Sequence, residues 1–330
     1  LALGANTFGW TSDEAASHDI IDAFLGAGGS LIDTADSYSA FAPGNSGGES
    51  ETVIGNWFAR TGRRDQVVLA TKITGKGRLV RDGAAVTGAA LREAVEGSLR
   101  RLQTDYIDLY QIHWPNRGSY HFRQIWTYDP GAATAAEVEA DMLDFLRVAD
   151  ELVKAGKVRA FGLSNESVWG TAKWLSLADR HGLPRMGTVQ NEYSLLCRQF
   201  DSDWAEISRR ENLPLLAFSP LAMGLLSGKY AGGVIPDRSR RVATPDLGGR
   251  VTPQVFPAVA TYMGIAAEHG LDPCQMAIAF TRQRPFPTVP IIGATTLEQL
   301  STNIGAADLT LSDEVMEDIA AAHRLHPQPY

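Results

Sequence analysis

The stretch LIDTADSY, residues 31–38, decides the fold class because it shows a pattern that the rest of the chain repeats. It opens with a short apolar run, of the length expected for a strand buried on both faces, and polar residues follow directly. Seven other runs share this character. Eight buried strands are therefore predicted, in the runs 1–4, 30–33, 67–72, 106–113, 158–165, 187–190, 215–220 and 288–293.

Amphipathic stretches with helical spacing separate these runs, as in Leu91, Val95, Leu99 and Leu102. Eight strands that alternate with helices indicate an α/β protein of the (β/α)8 TIM-barrel class. A doubly wound open sheet is the competing interpretation, and the number of strands favours the barrel. The alternation never breaks into a linker, so a single domain covering residues 1–330 is expected.

Composition narrows the classes of function. Thirty basic and 38 acidic residues give a net charge of −8, which argues against a general nucleic-acid-binding surface but not against one local basic pocket. Only Cys197 and Cys274 are present, and no Cys/His spacing suggests a metal site. No apolar run is long enough to span a membrane. From the Cys/His spacing we therefore expect no bound metal, and from the lengths of the apolar runs no membrane partner. We expect a cytoplasmic protein. The sequence leaves its oligomeric state undecided.

Polar residues stand at or just beyond the predicted carboxyl ends of the strands. In a parallel barrel these ends converge on one face, where active sites are built. Each residue alone has an ordinary structural explanation, such as a turn cap, a long side chain that reaches solvent or a satisfied core histidine. Together they predict an active site. They are Asp33, Lys72, His113, Ser164, Asn165, Gln190, Ser219 and Gly293.

Four residue types near this face could deliver a proton to a carbonyl group. Tyr38 is a weak acid at neutral pH unless a nearby cation stabilises its phenolate, and Lys72 could supply that charge. Asp33 would keep a buried Lys72 protonated, and a ring N–H of His113 could hold the substrate oxygen. Such a site needs no metal and no nucleophile. It does need a hydride from another molecule.

Seven motifs in order resemble the aldo-keto reductases over essentially the whole chain: LIDTADSY, VVLATK, DYIDLYQIHWP, VRAFGLSN, VQNEYS, FSPLAMGLLSGKY and IIGATTLEQLSTNI. The chain is most similar to the bacterial Tas-like, NADP(H)-dependent members, which are related to potassium-channel β-subunits. The resemblance implies a (β/α)8 barrel, an NADP(H) cofactor and a small-molecule carbonyl substrate. It also implies a catalytic tetrad of Asp33, Tyr38, Lys72 and His113, with Tyr38 as general acid.

The resemblance further implies a set of cofactor contacts. The nicotinamide carboxamide would bind Ser164, Asn165 and Gln190, and its ring would stack on Phe218. The pyrophosphate would follow the loop after the seventh strand, and the adenosine would lie beyond the eighth. The remaining implied residues are Asn6, Thr7, Ser219, Pro220, Leu221, Gly224, Leu226, Lys229, Arg240, Gly293, Thr295, Gln299 and Asn303.

One departure from the family bears on cofactor choice. Many members hold the 2′-phosphate of NADP(H) with a Lys and an Arg where this chain has Gly293 and Gln299. The phosphate would then be held by Thr295, by helix-terminal amides or by Lys229 and Arg240. NADP(H) remains the expected cofactor, and NAD(H) stays open.

The substrate pocket is less defined. Trp10 and Trp114 are expected to line it, with ordinary burial as the alternative. The long connections after His113 and after Ser219 are predicted to be functional loops. The aromatic residues of the first could form a substrate wall or a small satellite core.

Two functions remain open at this point. The first is an NADP(H)-dependent reductase of aldehydes or ketones. The second is a nicotinamide-binding regulatory subunit resembling the channel β-subunits. The position of His113 is not histidine in those subunits, so the intact tetrad favours an enzyme.

Overall fold

Eight parallel strands close into a barrel in the computed structural model, which describes residues 1–77 and 80–330. Each strand pairs with its neighbour in the chain, and β1 also pairs with β8. The predicted (β/α)8 barrel is thus confirmed. The strands are β1 Ala2–Gly4, β2 Leu31–Asp33, β3 Val68–Ile73, β4 Ile107–Ile112, β5 Val158–Ser164, β6 Met186–Glu192, β7 Leu215–Phe218 and β8 Thr288–Ile292.

Helices alternate with the strands, as the apolar spacing predicts. Three helices fall between β7 and β8, and two follow β8. The helices are α1 Glu14–Gly26, α2 Glu49–Thr61, α3 Gly88–Leu102, α4 Ala135–Lys154, α5 Val168–His181, α6 Asp203–Arg210, α7 Arg240–Ala243, α8 Val255–Glu268, α9 Pro273–Arg282, α10 Leu297–Ile304 and α11 Asp313–Leu325.

Local sequence sets where these helices begin and end. A capping box opens α4, in which Thr134 and Glu137 satisfy each other's backbone N–H groups. Asp272 caps α9 just before Pro273, whose missing N–H costs nothing in the first turn. Gly182 ends α5 with φ at 63°, a left-handed conformation that favours glycine.

The apolar core has an inner and an outer part. Outside the barrel, helix side chains pack on the outward faces of the strands in two buried clusters. Inside it, a small cluster is centred on Ala70, Leu109, Leu216 and Ile291. Side chains of a strand alternate in direction, so Lys72 and Gln111 follow Ala70 and Leu109 on the inner face, nearer the carboxyl ends. The barrel interior therefore changes from apolar to polar toward one mouth.

Two long connections border that mouth. The first covers residues 113–134 between β4 and α4, and the second covers residues 219–254 between β7 and α8, with short helical turns and α7 inside it. Active sites of barrel enzymes lie at this end of the strands. None of the helices in the described part of the chain combines the length and apolar character needed to cross a bilayer.

Candidate active site

A buried ion pair forms the floor of the mouth. The Lys72 Nζ lies 2.7 Å from Asp33 Oδ2 and donates a second hydrogen bond of 2.8 Å to the carbonyl of Thr34. Lys72 is fully buried and Asp33 nearly so. Burial lowers the pKa of Lys72, and the Asp33 carboxylate opposes that shift. The sequence prediction that Asp33 accompanies a buried Lys72 is therefore met in the structure.

Tyr38 reaches this pair from the turn after β2. Lys72 Nζ lies 2.9 Å from the Tyr38 Oη, which is 3.5 Å from Asp33 Oδ2. The backbone N–H of Tyr38 bonds the Ala35 carbonyl, and this turn directs the side chain back over the strand end. Burial and the Asp33 carboxylate hold the pKa of Tyr38 well above its usual value. The phenol therefore keeps its proton at neutral pH.

His113 follows β4 and lies beside Tyr38. The two rings meet edge to face with their centroids 5.6 Å apart, and Ser37 Oγ lies 3.5 Å from His113 Nδ1. Burial, assisted by the positive charge of Lys72, places the pKa of His113 well below its usual value. The imidazole is neutral at pH 7. It can then offer one ring N–H to a ligand oxygen.

Two amides support Asp33 from across the barrel. Gln190 Nε2 donates 2.8 Å to Asp33 Oδ1, and Gln111 Nε2 lies 3.2 Å from the same oxygen. Sequence reasoning assigned Gln190 to the nicotinamide carboxamide, but its NH2 group here serves Asp33. Sequence reasoning missed Gln111. The available signal in the sequence was an amide within the apolar run of β4. The structure pairs this amide in register with Lys72.

The ends of β5 and β6 bring Ser164, Asn165 and Gln190 together. Ser164 pairs with Gln190 in the sheet, and the Asn165 Nδ2 bonds both the carbonyl of His113 at 2.9 Å and Ser164 Oγ at 3.0 Å. Asn165 has a φ of 51°, which a strand-ending asparagine tolerates. Its Oδ1 is buried and accepts no hydrogen bond from the described residues. An acceptor is thus left beside His113.

The loop after β7 has a strained backbone. Phe218 ends β7, and Ser219, Met223 and Gly224 have φ values of 54°, 56° and 92°. A side chain on Gly224 would come within 2.9 Å of Lys229 Nζ, so the lysine lies directly on the glycine. Pro220 and Leu226 are buried, Leu221 is half-buried and Lys229 is exposed.

The residues assigned to the adenosine end form a separate group beyond β8. Gln299 Oε1 accepts from the Thr295 N–H at 3.0 Å and from its hydroxyl at 3.2 Å, and the Asn303 Nδ2 donates 3.1 Å to the Gly293 carbonyl. Thr7, next to Asn6 in the turn after β1, reaches the Ala294 carbonyl at 3.5 Å. Within residues 1–77 and 80–330, no hydrogen bond joins this group to the tetrad.

Arg240 of α7 packs on Trp10, which lies in the turn after β1. The Arg240 guanidinium lies 4.1 Å from the Trp10 ring centroid, and Phe41 packs edge-on against the same ring at 4.7 Å. Burial, with Arg250 nearby, lowers the pKa of Arg240 to about 10, so it stays charged at pH 7. Its Nε is buried and donates no hydrogen bond to any of the described residues. Trp10 thus packs between Arg240 and Phe41, and its place in a substrate pocket stays a prediction.

Trp114 lies beside His113. Its ring centroid is 4.9 Å from that of His113, and its Nε1 bonds the Lys76 carbonyl at 2.9 Å. Phe122 of the first long connection meets Trp114 edge to face at 5.8 Å. Trp126 is exposed and His121 is buried against the Glu166 carbonyl, so part of this aromatic loop forms a satellite core, and the substrate wall stays a prediction.

Asp36 ties the Tyr38 turn to β3. It accepts from the Thr74 N–H at 3.0 Å and from Arg81 at 3.1 Å, as well as from the Thr74 hydroxyl. Burial raises the pKa of Asp36 to about 6, although the hydrogen bonds from Thr74 oppose the shift. Between pH 4 and 6 the folded chain therefore holds a proton that the unfolded chain has lost.

This shift predicts a specific dependence of stability on pH. The contribution of Asp36 to the free energy of unfolding is largest below pH 4 and declines as pH rises to about 6. Asp36→Asn lacks this titration. Relative to wild type, its free energy of unfolding should rise by about 2.5 kcal/mol between pH 4 and pH 7. Urea unfolding across this range measures the difference, with exposed Asp65→Asn as control, and a pH-independent difference would contradict the assignment.

Comparison with known proteins agrees with this geometry. A sequence model of the Aldo/keto reductase family matches residues 1–324. The chain belongs to the aldo/keto reductase family. It is 41% identical to Protein tas of Escherichia coli over its whole length and 95% of that protein. The predicted resemblance to Tas-like members is thereby confirmed, and the protein is an oxidoreductase enzyme of this family.

More distant relatives carry names that describe activities. The putative aryl-alcohol dehydrogenase AAD14 of Saccharomyces cerevisiae is 30% identical over 91% of this chain and 74% of its own length. The norsolorinic acid reductase stcV of Emericella nidulans is 30% identical over 97% of this chain and 76% of its own.

Proposed function

We propose that the protein is an NADP(H)-dependent oxidoreductase that reduces aldehydes or ketones to alcohols, with Tyr38 as general acid. The observation that carries this proposal is the position of Lys72 Nζ, within hydrogen-bond distance of both Asp33 and the Tyr38 hydroxyl. A phenol beside a buried ammonium can release a proton to an oxygen that gains negative charge. We further propose that residues 1–330 act as one domain.

Each residue of the tetrad then has one task. Tyr38 enters the reaction protonated and gives its proton to the carbonyl oxygen as the alcohol forms. The phenolate that remains lies 2.9 Å from the Lys72 ammonium, which stabilises it until solvent returns the proton. Asp33 offsets the cost of keeping that ammonium charged in a buried position.

His113 acts on the carbonyl in a neutral form. Because its pKa lies well below the usual value, it does not compete with Tyr38 as an acid at pH 7. One ring N–H can hold the carbonyl oxygen near the phenol and stabilise negative charge there. The Asn165 bond to the His113 backbone fixes the residue that carries this ring.

The residues present fit a nicotinamide cofactor. The orphan Oδ1 of Asn165 is suited to accept from the NH2 group of a carboxamide, with Ser164 and Gln190 adjacent. The unpaired Nε of Arg240 at the mouth is suited to a phosphate. When bound, the reduced nicotinamide supplies the hydride for the carbonyl carbon. Phe218, half-buried at the end of β7, offers an aromatic face to its ring.

Arg240 provides the sharpest test of cofactor preference. It has no carboxylate partner in the described part of the chain, so its charge is free for a phosphate group. Arg240→Met is expected to raise the Kd of NADPH about 10–100-fold, since a charge-assisted hydrogen bond is lost. The Kd of NADH should rise less. Fluorescence titration measures both, with Arg238→Met as a nearby exposed control, and an equal loss for both cofactors would place Arg240 on the shared pyrophosphate.

Turnover tests the proposed function itself. Purified protein is mixed with NADPH and a panel of carbonyl compounds, and the loss of reduced-cofactor absorbance is followed. Aromatic aldehydes head the panel, because one relative is named a putative aryl-alcohol dehydrogenase and the Trp114 ring lies beside His113. Cofactor binding without turnover on any member would overturn the reductase and favour a nicotinamide-binding regulatory subunit.

A further inference from the structure

Glu192, the last residue of β6, joins three separate segments at the barrel mouth. Its Oε2 lies 3.0 Å from Arg123 Nη1 of the first long connection. Its Oε1 lies 2.8 Å from both Nε and Nη2 of Arg250 in the second long connection. Tyr330, beyond α11, donates its hydroxyl to the same Oε1 at 3.1 Å. We call Arg123, Glu192, Arg250 and Tyr330 the Glu192 clamp.

The clamp is buried, although two of its members lie in loops. Glu192 is 6% exposed, Arg250 3% and Tyr330 4%. Burial alone would raise the pKa of Glu192, but the two guanidinium groups outweigh it and hold the pKa below its usual value. The carboxylate is therefore charged at neutral pH. Breaking such a buried pair is strongly unfavourable, so the clamp opposes independent movement of the two connections.

The backbone near the clamp is strained in both connections. Phe122 and Arg123 are consecutive non-glycine residues with φ of 59° and 64°. In the second connection, Arg250 Nη1 lies 2.9 Å from the Met223 sulfur and 2.9 Å from the Leu247 carbonyl. Met223 and Leu247 also have positive φ, at 56° and 50°. Residues in this region persist only when their surroundings hold them there.

Each end of the clamp leads to one part of the proposed site. Arg123 fixes its neighbour Phe122, which packs on Trp114, and Trp114 in turn lies beside His113. Arg250 instead fixes Met223, which precedes Gly224 in the loop assigned to the cofactor. One carboxylate thus connects the wall of the substrate pocket to the cofactor loop.

We propose that Glu192 is a positioning residue of the reduction, which sets the substrate wall through Arg123 and the cofactor loop through Arg250. This inference rests on the proposed function for the meaning of the two loops. The carboxylate does not act on the substrate. It determines where Phe122, Trp114 and Met223 stand when substrate and cofactor bind.

Variants of the two arginines test the contacts of Glu192 to the first and to the second long connection separately. Arg123→Met should raise the KM for a bulky aromatic aldehyde by about 10–100-fold, since small misplacements of positioning groups are costly, with the Kd of NADPH unchanged. Arg250→Met should instead raise the Kd of NADPH. Arg123→Lys should recover most of the KM, because Arg123 contacts Glu192 through a single nitrogen. Glu192→Gln should combine both effects.

The matched control lies at the opposite end of the barrel. Arg64 pairs with Asp108 at 2.8 Å, and both side chains are about as buried as those of Arg123 and Glu192. Arg64→Met should lower thermal stability without changing KM, kcat or cofactor affinity. The clamp variants should also increase amide hydrogen exchange in residues 119–130 or 221–250, which Arg64→Met should leave unchanged.

Two outcomes would overturn the inference. If the clamp variants lose only thermal stability, as Arg64→Met does, the clamp is a structural ion pair. If Arg123→Met and Arg250→Met give the same kinetic change, the two arginines do not position different loops. Should Glu192→Gln fail to fold, the variants of Arg123, which is less deeply buried than Glu192, still test the contact to the first long connection. If wild type reduces no carbonyl, the proposed function fails, whereas hydrogen exchange and NADPH affinity still test the clamp.

Discussion

Tyr38→Phe is expected to lower kcat for carbonyl reduction by about 10²–10⁴-fold, the range that positioned general acids contribute. The substitution removes the hydroxyl that lies 2.9 Å from Lys72 Nζ and leaves the ring, with its edge-to-face contact to His113. The packing of the mouth should therefore survive. The loss should appear in kcat, with only a small change in the Kd of NADPH.

The pH dependence adds a second readout to this variant. Because burial and Asp33 place the Tyr38 pKa well above its usual value, wild-type Tyr38 stays protonated throughout the neutral range. His113 likewise stays neutral, since its pKa is far below 6.5. Between pH 6 and 8 neither group titrates. Reduction by the wild type should accordingly vary little with pH across this window.

Tyr106→Phe provides the matched control for the loss of a phenol. Tyr106 precedes β4 at the far end of the barrel, where the guanidinium groups of Arg64 and Arg159 lie 3.9 and 4.2 Å from its ring centroid. Its kcat should equal that of wild type. If Tyr38→Phe reduced carbonyls as fast as wild type at any pH between 6 and 8, another group would have to donate the proton.

The barrel was predictable from sequence because each strand carries its own signal. An apolar run such as the one ending at Asp33 predicts both that the strand is buried and where the strand ends. A parallel barrel then brings the carboxyl ends of all strands to one mouth, whatever the lengths of the helices between them. Lys72 and His113 could be placed beside Asp33 on that basis alone.

The supporting contacts of the site carry no comparable local signal. Gln111 is a single amide in an apolar run, and its bond to Asp33 depends on the register between β3 and β4. The Glu192 clamp is even harder to predict from the sequence. Arg123 and Arg250 lie in irregular connections with positive φ values, and their approach to one carboxylate follows from loop conformation, which no periodic pattern encodes.

Lys72→Met is expected to affect both stability and activity. It removes three hydrogen bonds of a fully buried ammonium and leaves the Asp33 carboxylate buried, with the Gln190 and Gln111 amides and the more distant Tyr38 hydroxyl as donors. Loss of one partner of a buried pair typically costs about 3–5 kcal/mol in the free energy of unfolding. Activity should fall as well, since nothing then stabilises the Tyr38 phenolate.

A second substitution separates the two effects. Asp33→Asn/Lys72→Met removes both charges, so the unpaired buried carboxylate disappears and part of the lost stability should return. Activity should not return, because the ammonium beside Tyr38 is still missing. Urea unfolding and steady-state kinetics on wild type, both single variants and the double variant complete the cycle.

Lys157→Met shows what an ordinary lysine contributes. Lys157 pairs with Glu96 where both side chains are about 40% exposed. Its loss should change the free energy of unfolding by no more than about 1 kcal/mol and leave kcat unchanged. If Lys72→Met resembled this variant in stability, the ion pair would not hold the mouth together. If the double variant regained activity, the ammonium would not be what makes Tyr38 an acid.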